Sequence, residues 1–351
     1  MKVPFINDTH FGARNDSQIF LDYSLDFFEN QFFPYCDEHG VTEIVHLGDF
    51  LDRRKYVNFN TLTQVRERFV EPLEKRGIKI HCILGNHDTY FRNTNKVNSL
   101  REVFSPTQSF EVYEKPTITK IDDIPFAFLP WINKENYDES VEFIKNTSAN
   151  YLCGHLELNG FQVMRGVQFQ DGMDPSLFAK YAMVLSGHFH TKHTKGNVHY
   201  LGTQYQLTFS DLKEKKGFHV FDTETTDLEF IENPRRLFHS LVYDDEAIDA
   251  MKYMNADYSE FKDKFVKIYV ASKQYPFTFD KVLDKLYSVQ PVNVQVVEDV
   301  QDDVDDEERV DLAKGTLDII YEEIDSLSEE VDNPMELKKI FRDIYMEAIT
   351  Q

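Results

Sequence analysis

The sequence predicts an α/β protein in which two β-sheets pack against each other and helices cover the outer faces. Two features support this fold class. Strand-like and helix-like stretches alternate over about the first hundred residues, whereas shorter strand-like runs separated by turns follow. The chain has 351 residues, of which 41% are hydrophobic, and this is enough for two domains and a large core.

The first half of the chain predicts a sheet of parallel strands with covering helices, in the order β-α-β-α-β. Ser17 can cap the first helix, and Gly40 and Gly77 stand just past the predicted helix ends, where glycine is common. Pro4 lies inside the first strand and favours an edge position or a bulge, because proline donates no backbone hydrogen bond. The predicted strands are 2–6, 43–47 and 78–84, and the predicted helices are 17–39 and 58–76.

A second sheet is predicted from the pattern of apolar runs after about residue 105. The apolar runs there are short and are separated by turn residues, which favours strands over helices. Packing this sheet on the first, with the helices outside, buries the apolar faces of both. The predicted strands are 110–113, 117–121, 125–129, 150–154, 182–186, 198–201, 218–222 and 228–231.

Four segments are predicted along the chain. Residues 233–236 have the composition of a linker, and the stretch beyond them predicts a small β-α-β unit. Eight of the eleven residues at 298–308 are acidic, which is typical of a flexible spacer. The predicted segments are a main domain at 1–232, a small capping domain at 237–297, an acidic linker at 298–311 and C-terminal helices at 312–351.

The end of the chain predicts an amphipathic helix. Asn333 can cap it, Pro334 suits the first helical position, and Glu336 completes a capping box. Such a helix either docks on its own domain or binds a partner helix, and the sequence leaves both open. Its apolar stripe, at three-and-four spacing, consists of Leu337, Ile340, Phe341, Ile344, Tyr345, Ala348 and Ile349.

The composition argues against several classes of protein. A net charge of −23 is unfavourable for holding nucleic acid by bulk electrostatics, although residues 298–351 alone hold 19 acidic and 5 basic residues. Since no run of 18 or more apolar residues occurs, no membrane helix is predicted. The N-terminus lacks the pattern of a signal peptide, and three widely spaced cysteines fit a reducing compartment, so we expect a cytoplasmic protein.

Five short stretches share one chemical theme, an Asp, Asn or His beside a glycine or directly after a strand-like run. A short turn at the end of such a run can aim oxygen and nitrogen ligands into a common cleft. Seven ligands of this mixed oxygen and imidazole type, with one carboxylate as a bridge, suit two divalent ions rather than one. The candidate ligands are Asp8, His10, Asp49, Asn86, His155, His188 and His190.

Asp49 is the candidate for the bridging carboxylate, because it directly follows a strand-like run and a glycine. Two ions that share a ligand can lower the pKa of a common water and clamp a phosphate between them. The ligands assigned to the first ion are Asp8, His10 and His190, and those assigned to the second are Asn86, His155 and His188. Arg53, Arg54 and Lys55 follow closely and should border the same cleft.

His87 adjoins a candidate ligand but is not itself assigned to a metal. A positioned imidazole can stabilise or protonate a departing oxygen, and this role is predicted for it. The role needs an acceptor on the other ring nitrogen. Asp52 is the first candidate for that acceptor, and Asp88, which fits a turn residue better, is the alternative.

These stretches resemble the calcineurin-like metallophosphoesterase superfamily, whose pattern is D-x-H, G-D-x-x-D, G-N-H-D/E, G-H and G-H-x-H. Within it, the chain is most similar to the SbcD-type DNA repair nucleases, and among these to the recombination endonuclease subunits of tailed bacteriophages. Further supporting stretches are Leu129-Pro130-Trp131, 154–161, 186–191 and 200–203. The resemblance spans residues 1 to 230, and the C-terminal parts match in layout only.

The resemblance implies a four-layer α-β-β-α sandwich with a small α+β capping domain and C-terminal helices. It implies two divalent ions, Mn²⁺ with Mg²⁺ as the alternative, whose shared hydroxide attacks a phosphodiester. The implied activities are 3′-to-5′ exonuclease and single-strand endonuclease on DNA, with Arg53, Arg54 and Lys55 as candidate contacts. The implied partners are an SMC-like coiled-coil ATPase, held by the C-terminal helices, and a second copy of the chain.

Two other functions stay open. The stretch from Gly48 to Arg53 also resembles the signature of phosphoprotein phosphatases, so a phosphoprotein or small phosphodiester phosphatase of the same superfamily is the alternative. The acidic spacer and terminal stripe are not expected in such enzymes. A non-enzymatic DNA-end tether with a metal-stabilised core is the weakest case, because the ligand set is intact.

Overall fold

The computed structural model describes residues 1–104, 109–164 and 167–298, together with 337, 338, 340 and 341. The chain divides into two compact units, of which the first comprises residues 1–207 and 211–237 and the second residues 208–210 and 238–351. The predicted acidic linker and C-terminal helices lie outside the described residues, except for the four residues near 340, which are helical.

The first unit is built from strands and helices that alternate in its first half. Its strands are β1 (Lys2–Ile6), β2 (Glu43–His46), β3 (Lys79–Ile83), β4 (Phe110–Tyr113), β5 (Thr117–Ile121), β6 (Ile124–Leu129), β7 (Tyr151–His155), β8 (Gln162–Met164), β9 (Val167–Gln168), β10 (Met183–Gly187), β11 (His193–Lys195), β12 (Val198–Tyr200), β13 (Gly217–Asp222) and β14 (Leu228–Glu232). Its α-helical segments are α1 (Ala13–Asp16), α2 (Gln18–Phe27), α3 (Phe33–His39), α4 (Phe59–Val65), α5 (Glu71–Arg76), α6 (Ser99–Phe104) and α7 (Tyr137–Asn146).

The helices predicted at 17–39 and 58–76 are confirmed, each with a π-helical stretch inside it, Phe28–Phe32 and Arg66–Val70. Gly40 and Gly77 end them with φ of 60° and 65°, the left-handed conformation expected of glycine at this position. The elements α1, α6, α7, β8, β9 and β11 had no separate prediction. None of the helices among the described residues is long and apolar enough to cross a membrane.

Two sheets form the framework of the first unit. One has the order β14-β13-β1-β2-β3-β4, and its strands β1 to β4 are parallel. The other has the order β11-β12-β10-β7-β6-β5, and β6, β7, β10 and β12 are parallel. The parallel strands of each sheet therefore end at one edge, where the loops that follow them meet.

The core lies in three apolar layers between the sheets and helices, which gives the predicted four-layer α-β-β-α sandwich. The layer between the sheets includes Val3, Phe5, Val45, Phe126, Phe128 and Leu185. Outside the first sheet, phenylalanines pack edge to face, with ring centroids 4.7 Å apart for Phe28 and Phe69. Outside the second sheet, Ile144 of α7 packs with Leu152 and Val184. Each fully buried phenylalanine contributes about 1.5–3 kcal/mol to folding.

The prediction that Pro4 marks an edge or a bulge is wrong, because β1 lies inside its sheet, between β13 and β2. Leu47 N–H donates to Ile6 O, so the peptide groups of Ile6 and Pro4 face β2, since alternate residues face the same side. The pairing of β1 with β2 covers only Phe5 and Ile6. The missing N–H of Pro4 therefore falls where that pairing has not yet begun.

The second unit contains a small parallel sheet covered by helices, as the predicted β-α-β unit required. Its strands are β15 (Phe238–Asp244), β16 (Phe265–Ser272) and β17 (Asn293–Val297), in that order. Its helices are α8 (Ala250–Asn255) and α9 (Pro276–Ser288). Tyr243, Ile268, Phe279, Val282 and Leu286 belong to its core.

Candidate metal centre

The seven predicted ligands all lie at or just after the carboxyl ends of parallel strands. Asp8, His10, Asp49 and Asn86 lie on the loops after β1, β2 and β3 of the first sheet. His155 ends β7, and His188 and His190 follow β10, its neighbour in the second sheet. Backbone hydrogen bonds from Asp8 to Gly48 (2.9 Å) and from His10 to Asp49 (3.1 Å) hold the first two loops together.

Asp8, His10 and His190 form one group, in which one ligand atom of each residue lies within 4.8 Å of the others. His10 Nε2 is 3.1 Å from His190 Nε2, and each of these nitrogens is 3.9 Å from Asp8 Oδ1. The Asp8 carboxylate also accepts the backbone N–H of His188, at 3.0 Å. This is the set that the sequence assigned to the first ion.

Asn86, His155 and His188 converge at a second point. Asn86 Oδ1 lies 3.0 Å from both His155 Nε2 and His188 Nδ1, and these two nitrogens are 3.2 Å apart. The other nitrogen of His155 donates to the carbonyl of Leu47 at 2.7 Å, so Nε2 is the nitrogen that faces this point. This is the set that the sequence assigned to the second ion.

Asp49 faces both groups with the same oxygen. Its Oδ2 is 3.7 Å from His10 Nε2 and 3.4 Å from His155 Nε2. Its Oδ1 accepts the backbone N–H of His87 at 2.7 Å, which fixes the plane of the carboxylate. One carboxylate oxygen between two ligand groups is the arrangement that a bridge between two ions requires.

The donor set fits divalent ions. Ligands about 2.1 Å from an octahedral ion lie about 3.0 Å from one another, and the shortest separations within each group match this spacing. Mixed carboxylate, amide and imidazole donors suit Mn²⁺, and the lack of a thiolate argues against a site selective for soft metals. The three cysteines, Cys36, Cys82 and Cys153, are buried free thiols.

Glycine is required where the loops of β2 and β3 touch. A Cβ on Gly85 would lie 2.2 Å from Asp49 Oδ1, and one on Gly48 would lie 2.6 Å from the backbone nitrogen of Gly85. Real Cβ atoms do not approach so closely, so any other residue would push the two loops apart. The glycines that the sequence pairs with its ligands thus allow those ligands to converge.

Several ligands have a backbone conformation that non-glycine residues rarely adopt. Asp8, His10, Asp49 and His188 have φ values of 47°, 42°, 56° and 86°. Each such residue costs about 1–3 kcal/mol, and such strain is concentrated at functional sites. No pattern in the sequence indicates this strain.

The electrostatics of the site favour positive charge beside its carboxylates. Burial would raise the pKa of the Asp49 carboxyl, but the imidazoles of His155 and His87 hold it well below its usual range. Burial disfavours the charged imidazoles of His10 and His155, yet the facing carboxylates raise the pKa of each to about 9. A metal that binds here must displace these protons, so its affinity should rise with pH.

The role predicted for Asp52 needs a correction. The acceptor for His87 Nδ1 is the backbone carbonyl of Asp52, whereas its carboxylate lies 3.3 Å from His10 Nδ1. Asp88 accepts the backbone N–H groups of Gly85, Asp49 and Phe50 at 2.8–3.0 Å, which is the turn role considered for it. Burial lowers the pKa of His87, which favours the neutral form of the imidazole.

His87 also lies close to the ligands themselves. One of its nitrogens forms a group with His10 and Asp49 in which all ligand atoms are within 4.8 Å of one another. Since Nδ1 is directed at the carbonyl of Asp52, Nε2 is the nitrogen directed at the cleft.

The three basic residues after Asp52 take different positions. The guanidinium of Arg54 lies 3.2 Å from the side-chain amide of Asn86, so it borders the second ligand group. Arg53 instead contacts Asp16 at 3.2 Å and Asn15 at 3.0 Å. Lys55 lies over the exposed ring of Tyr90, 6.0 Å from its centroid.

Two residues at the site had no role in the sequence analysis. Glu157 contacts His188 Nε2 at 3.0 Å, and Trp131 packs with its ring centroid 5.5 Å from that of His188. Both lie in stretches that carried the family resemblance, but only their contacts in the fold place them here.

The chain is similar to known proteins over most or all of its length. The family model described as calcineurin-like phosphoesterase matches residues 1–192. Exonuclease subunit 1 of Enterobacteria phage T4 is 31% identical over 351 residues, covering 99% of this chain and 99% of the relative. The SbcD component of the nuclease SbcCD from Staphylococcus epidermidis is 24% identical over 262 residues, covering 65% of this chain and 67% of the relative. A solved archaeal phosphodiesterase is 14% identical over 66% of this chain and all of its own, with a TM-score of 0.32, too low to carry an argument.

Proposed function

Because the chain belongs to the calcineurin-like phosphoesterase family, we propose that it is a metal-dependent DNA nuclease of the SbcD type, with 3′-to-5′ exonuclease and single-strand endonuclease activities. The observation that carries this proposal is the position of Asp49 Oδ2 between two ligand groups, 3.7 Å from His10 and 3.4 Å from His155. The full-length similarity to a phage exonuclease subunit supports DNA as the substrate.

The proposed cofactors are two divalent ions, most simply Mn²⁺. When bound, such ions lower the pKa of a shared water and neutralise charge on the phosphodiester. The residues that would hold the first are Asp8, His10, His190 and Asp49, and those that would hold the second are Asn86, His155, His188 and Asp49.

The surrounding side chains would position the scissile phosphate and the departing oxygen. His87 has its Nδ1 fixed by the carbonyl of Asp52, which leaves Nε2 to contact the departing oxygen, and once protonated it can donate to it. The guanidinium of Arg54, beside Asn86, is placed to contact a non-bridging phosphate oxygen. Arg53 and Lys55 are proposed to contact the DNA backbone farther from the site.

The proposed partners are DNA, an SMC-like coiled-coil ATPase and a second copy of the chain, within the cytoplasm. Both relatives are named as subunits, which supports assembly with another chain. The C-terminal helices are proposed to bind the ATPase in trans. Tyr56 and Phe59, three residues apart and exposed by 68% and 83%, are proposed as contacts with a second copy.

The test is degradation of end-labelled duplex DNA by the full-length protein with Mn²⁺, with and without the coiled-coil ATPase from the same genome. We expect shortening from the 3′ end, loss of activity in EDTA and loss in Asp49→Asn. Complete inertness in the presence of both Mn²⁺ and the ATPase would contradict the proposal.

The alternative is a phosphoprotein or small phosphodiester phosphatase of the same superfamily. Its signature arginine corresponds to Arg53, which in this structure contacts Asp16 and Asn15. A comparison of turnover on a phosphopeptide and on a DNA end decides between the two functions. Faster turnover of the phosphopeptide would favour the alternative.

A further inference from the structure

Glu157 stands behind one of the proposed metal ligands without facing a metal position itself. Its Oε1 lies 3.0 Å from Nε2 of His188, on the side of the ring away from Asn86. Nδ1 of the same ring is directed at Asn86 Oδ1 (3.0 Å) and His155 Nε2 (3.2 Å). An ionised carboxylate can only accept a hydrogen bond, so the ring nitrogen that faces it bears the proton. This contact therefore keeps the proton on Nε2 and the lone pair on Nδ1.

The backbone holds Glu157 firmly in this position. Leu156, just before it, donates to Ser186 Oγ at 3.1 Å, which ties this segment to the strand that leads to His188. The carbonyl of Glu157 accepts the N–H of Met173 at 2.8 Å. Gly172 lies so close that a Cβ there would be 2.6 Å from that carbonyl. The backbone that carries this carboxylate is therefore built into the fold, while the side chain itself is 40% exposed.

The distal nitrogens of two other proposed histidine ligands have different partners. His155 donates its distal nitrogen to the neutral carbonyl of Leu47 at 2.7 Å. His10, in the other ligand group, has the carboxylate of Asp52 3.3 Å from its distal nitrogen. Each ligand group thus contains one histidine backed by a carboxylate, Asp52 for the first and Glu157 for the second.

We propose that Glu157 is a positioning residue that orients His188, fixes its tautomer and so raises the affinity of the second metal position. This inference rests on the proposed metal centre. Removing a partner that orients a metal-bound histidine typically lowers metal affinity by about 10- to 100-fold. If only the negative charge of Glu157 mattered, its removal would act at longer range. The loss of affinity would then be the same whether or not the new side chain can accept a hydrogen bond.

Tryptophan fluorescence can report metal binding at the second position. Trp131 is the only tryptophan in the sequence, and its ring centroid lies 5.5 Å from that of His188 and 6.0 Å from that of His155. Mn²⁺ is paramagnetic and quenches nearby indole fluorescence. Titration of the full-length protein with Mn²⁺, followed by tryptophan emission, therefore reports binding at the second position without any nuclease assay.

The experiment compares Glu157→Ala, Glu157→Gln and the control Glu142→Ala. Glu142 lies on α7, away from the site, so its replacement removes the same charge at a distance. We expect Glu157→Ala to weaken Mn²⁺ binding by about 10- to 100-fold. Glu157→Gln, which keeps an acceptor oxygen, should restore most of the affinity, and Glu142→Ala should match the wild type. Thermal unfolding in EDTA should be equal for all four proteins.

The outcomes separate this inference from the proposed function. Equal titrations of Glu157→Ala and Glu142→Ala would overturn the role of Glu157, as would a Gln variant no better than Ala. Unfolding of both Glu157 variants in EDTA would also overturn it, in favour of a purely structural role. A wild-type protein without quenching would overturn both the inference and the metal centre. The expected titrations from a protein that leaves DNA intact would support the inference and contradict the proposed substrate.

Discussion

The two ligand groups differ in how firmly the protein holds them. In the second group, the distal nitrogens of His155 and His188 are engaged by Leu47 and Glu157, and His155 is fully buried. In the first group, the side chain of His190 is 37% exposed, and a buried lysine, Lys216, donates to its backbone carbonyl rather than to its ring. A preorganised set of ligands loses less entropy on binding. The second position should therefore bind its ion more tightly, and the first should be the one open to solvent.

The largest effect is expected from Asp49→Asn, because this carboxylate faces both groups. The variant should bind neither ion at micromolar Mn²⁺, and its activity should fall by at least about 1,000-fold, since the lost stabilisation amounts to several kcal/mol. Isothermal titration gives the stoichiometry, and end-labelled DNA gives the rate. Asp123→Asn is the matched control, because Asp123 is an exposed carboxylate with a similar φ of 64°. A variant that still binds two ions would contradict the role of Asp49 as a ligand shared by the two groups.

A pair of variants tests the difference between the groups directly. His188→Ala should remove the tighter of two binding steps in a Mn²⁺ titration, whereas His190→Ala should remove the weaker one. The reason is that His188 has both ring nitrogens engaged, while His190 is partly exposed. Quenching of Trp131 should be lost in the first variant and kept in the second. The same loss in both would show that the two positions are not distinct.

His87→Gln should leave both binding steps intact while lowering kcat. The expected loss is about 100- to 10,000-fold, the usual contribution of a positioned acid or base. Single-turnover cleavage at saturating Mn²⁺ measures it. If the variant lost or weakened one of the two binding steps, His87 would instead be a metal ligand, which its distance to His10 and Asp49 also permits.

The smallest effect is expected from the basic residues. Arg54→Ala should raise KM for DNA by about tenfold, equivalent to ~1.4 kcal/mol, because its guanidinium borders Asn86. Arg53→Ala, which breaks a contact with Asp16 instead, should change KM less. Steady-state kinetics at two salt concentrations checks both. Equal effects of the two variants would mean that the position of Arg54 beside the site has no part in binding.

Much of the framework could be predicted because its signals are local. The strands before Gly48 and Gly85 end in turns, and a turn at the end of a parallel strand can face only the shared edge of the sheet. The residues at those turns converge within a few ångströms in the structure. Helix ends at Gly40 and Gly77 followed from the preference of glycine for left-handed backbone.

The details that depend on distant contacts could not be predicted. Nothing near Asp49 in the sequence shows its positive φ, nor that its N–H donates to Asp88 of another loop. The sequence indicated Asp52 as the acceptor for His87, but it does not show that the ring meets the backbone carbonyl of Asp52 and not its carboxylate. The edge position expected for Pro4 failed because the sequence does not reveal that β13 returns to pair with β1.

The sharing of Asp49 between two ions is tested most directly by diffraction from crystals soaked in Mn²⁺, with data collected at the manganese absorption edge. We expect two anomalous peaks about 3.5–4 Å apart, one beside His10 and His190 and the other beside His155 and His188, with Asp49 between them. A single peak, or two peaks without Asp49 between them, would contradict a shared carboxylate.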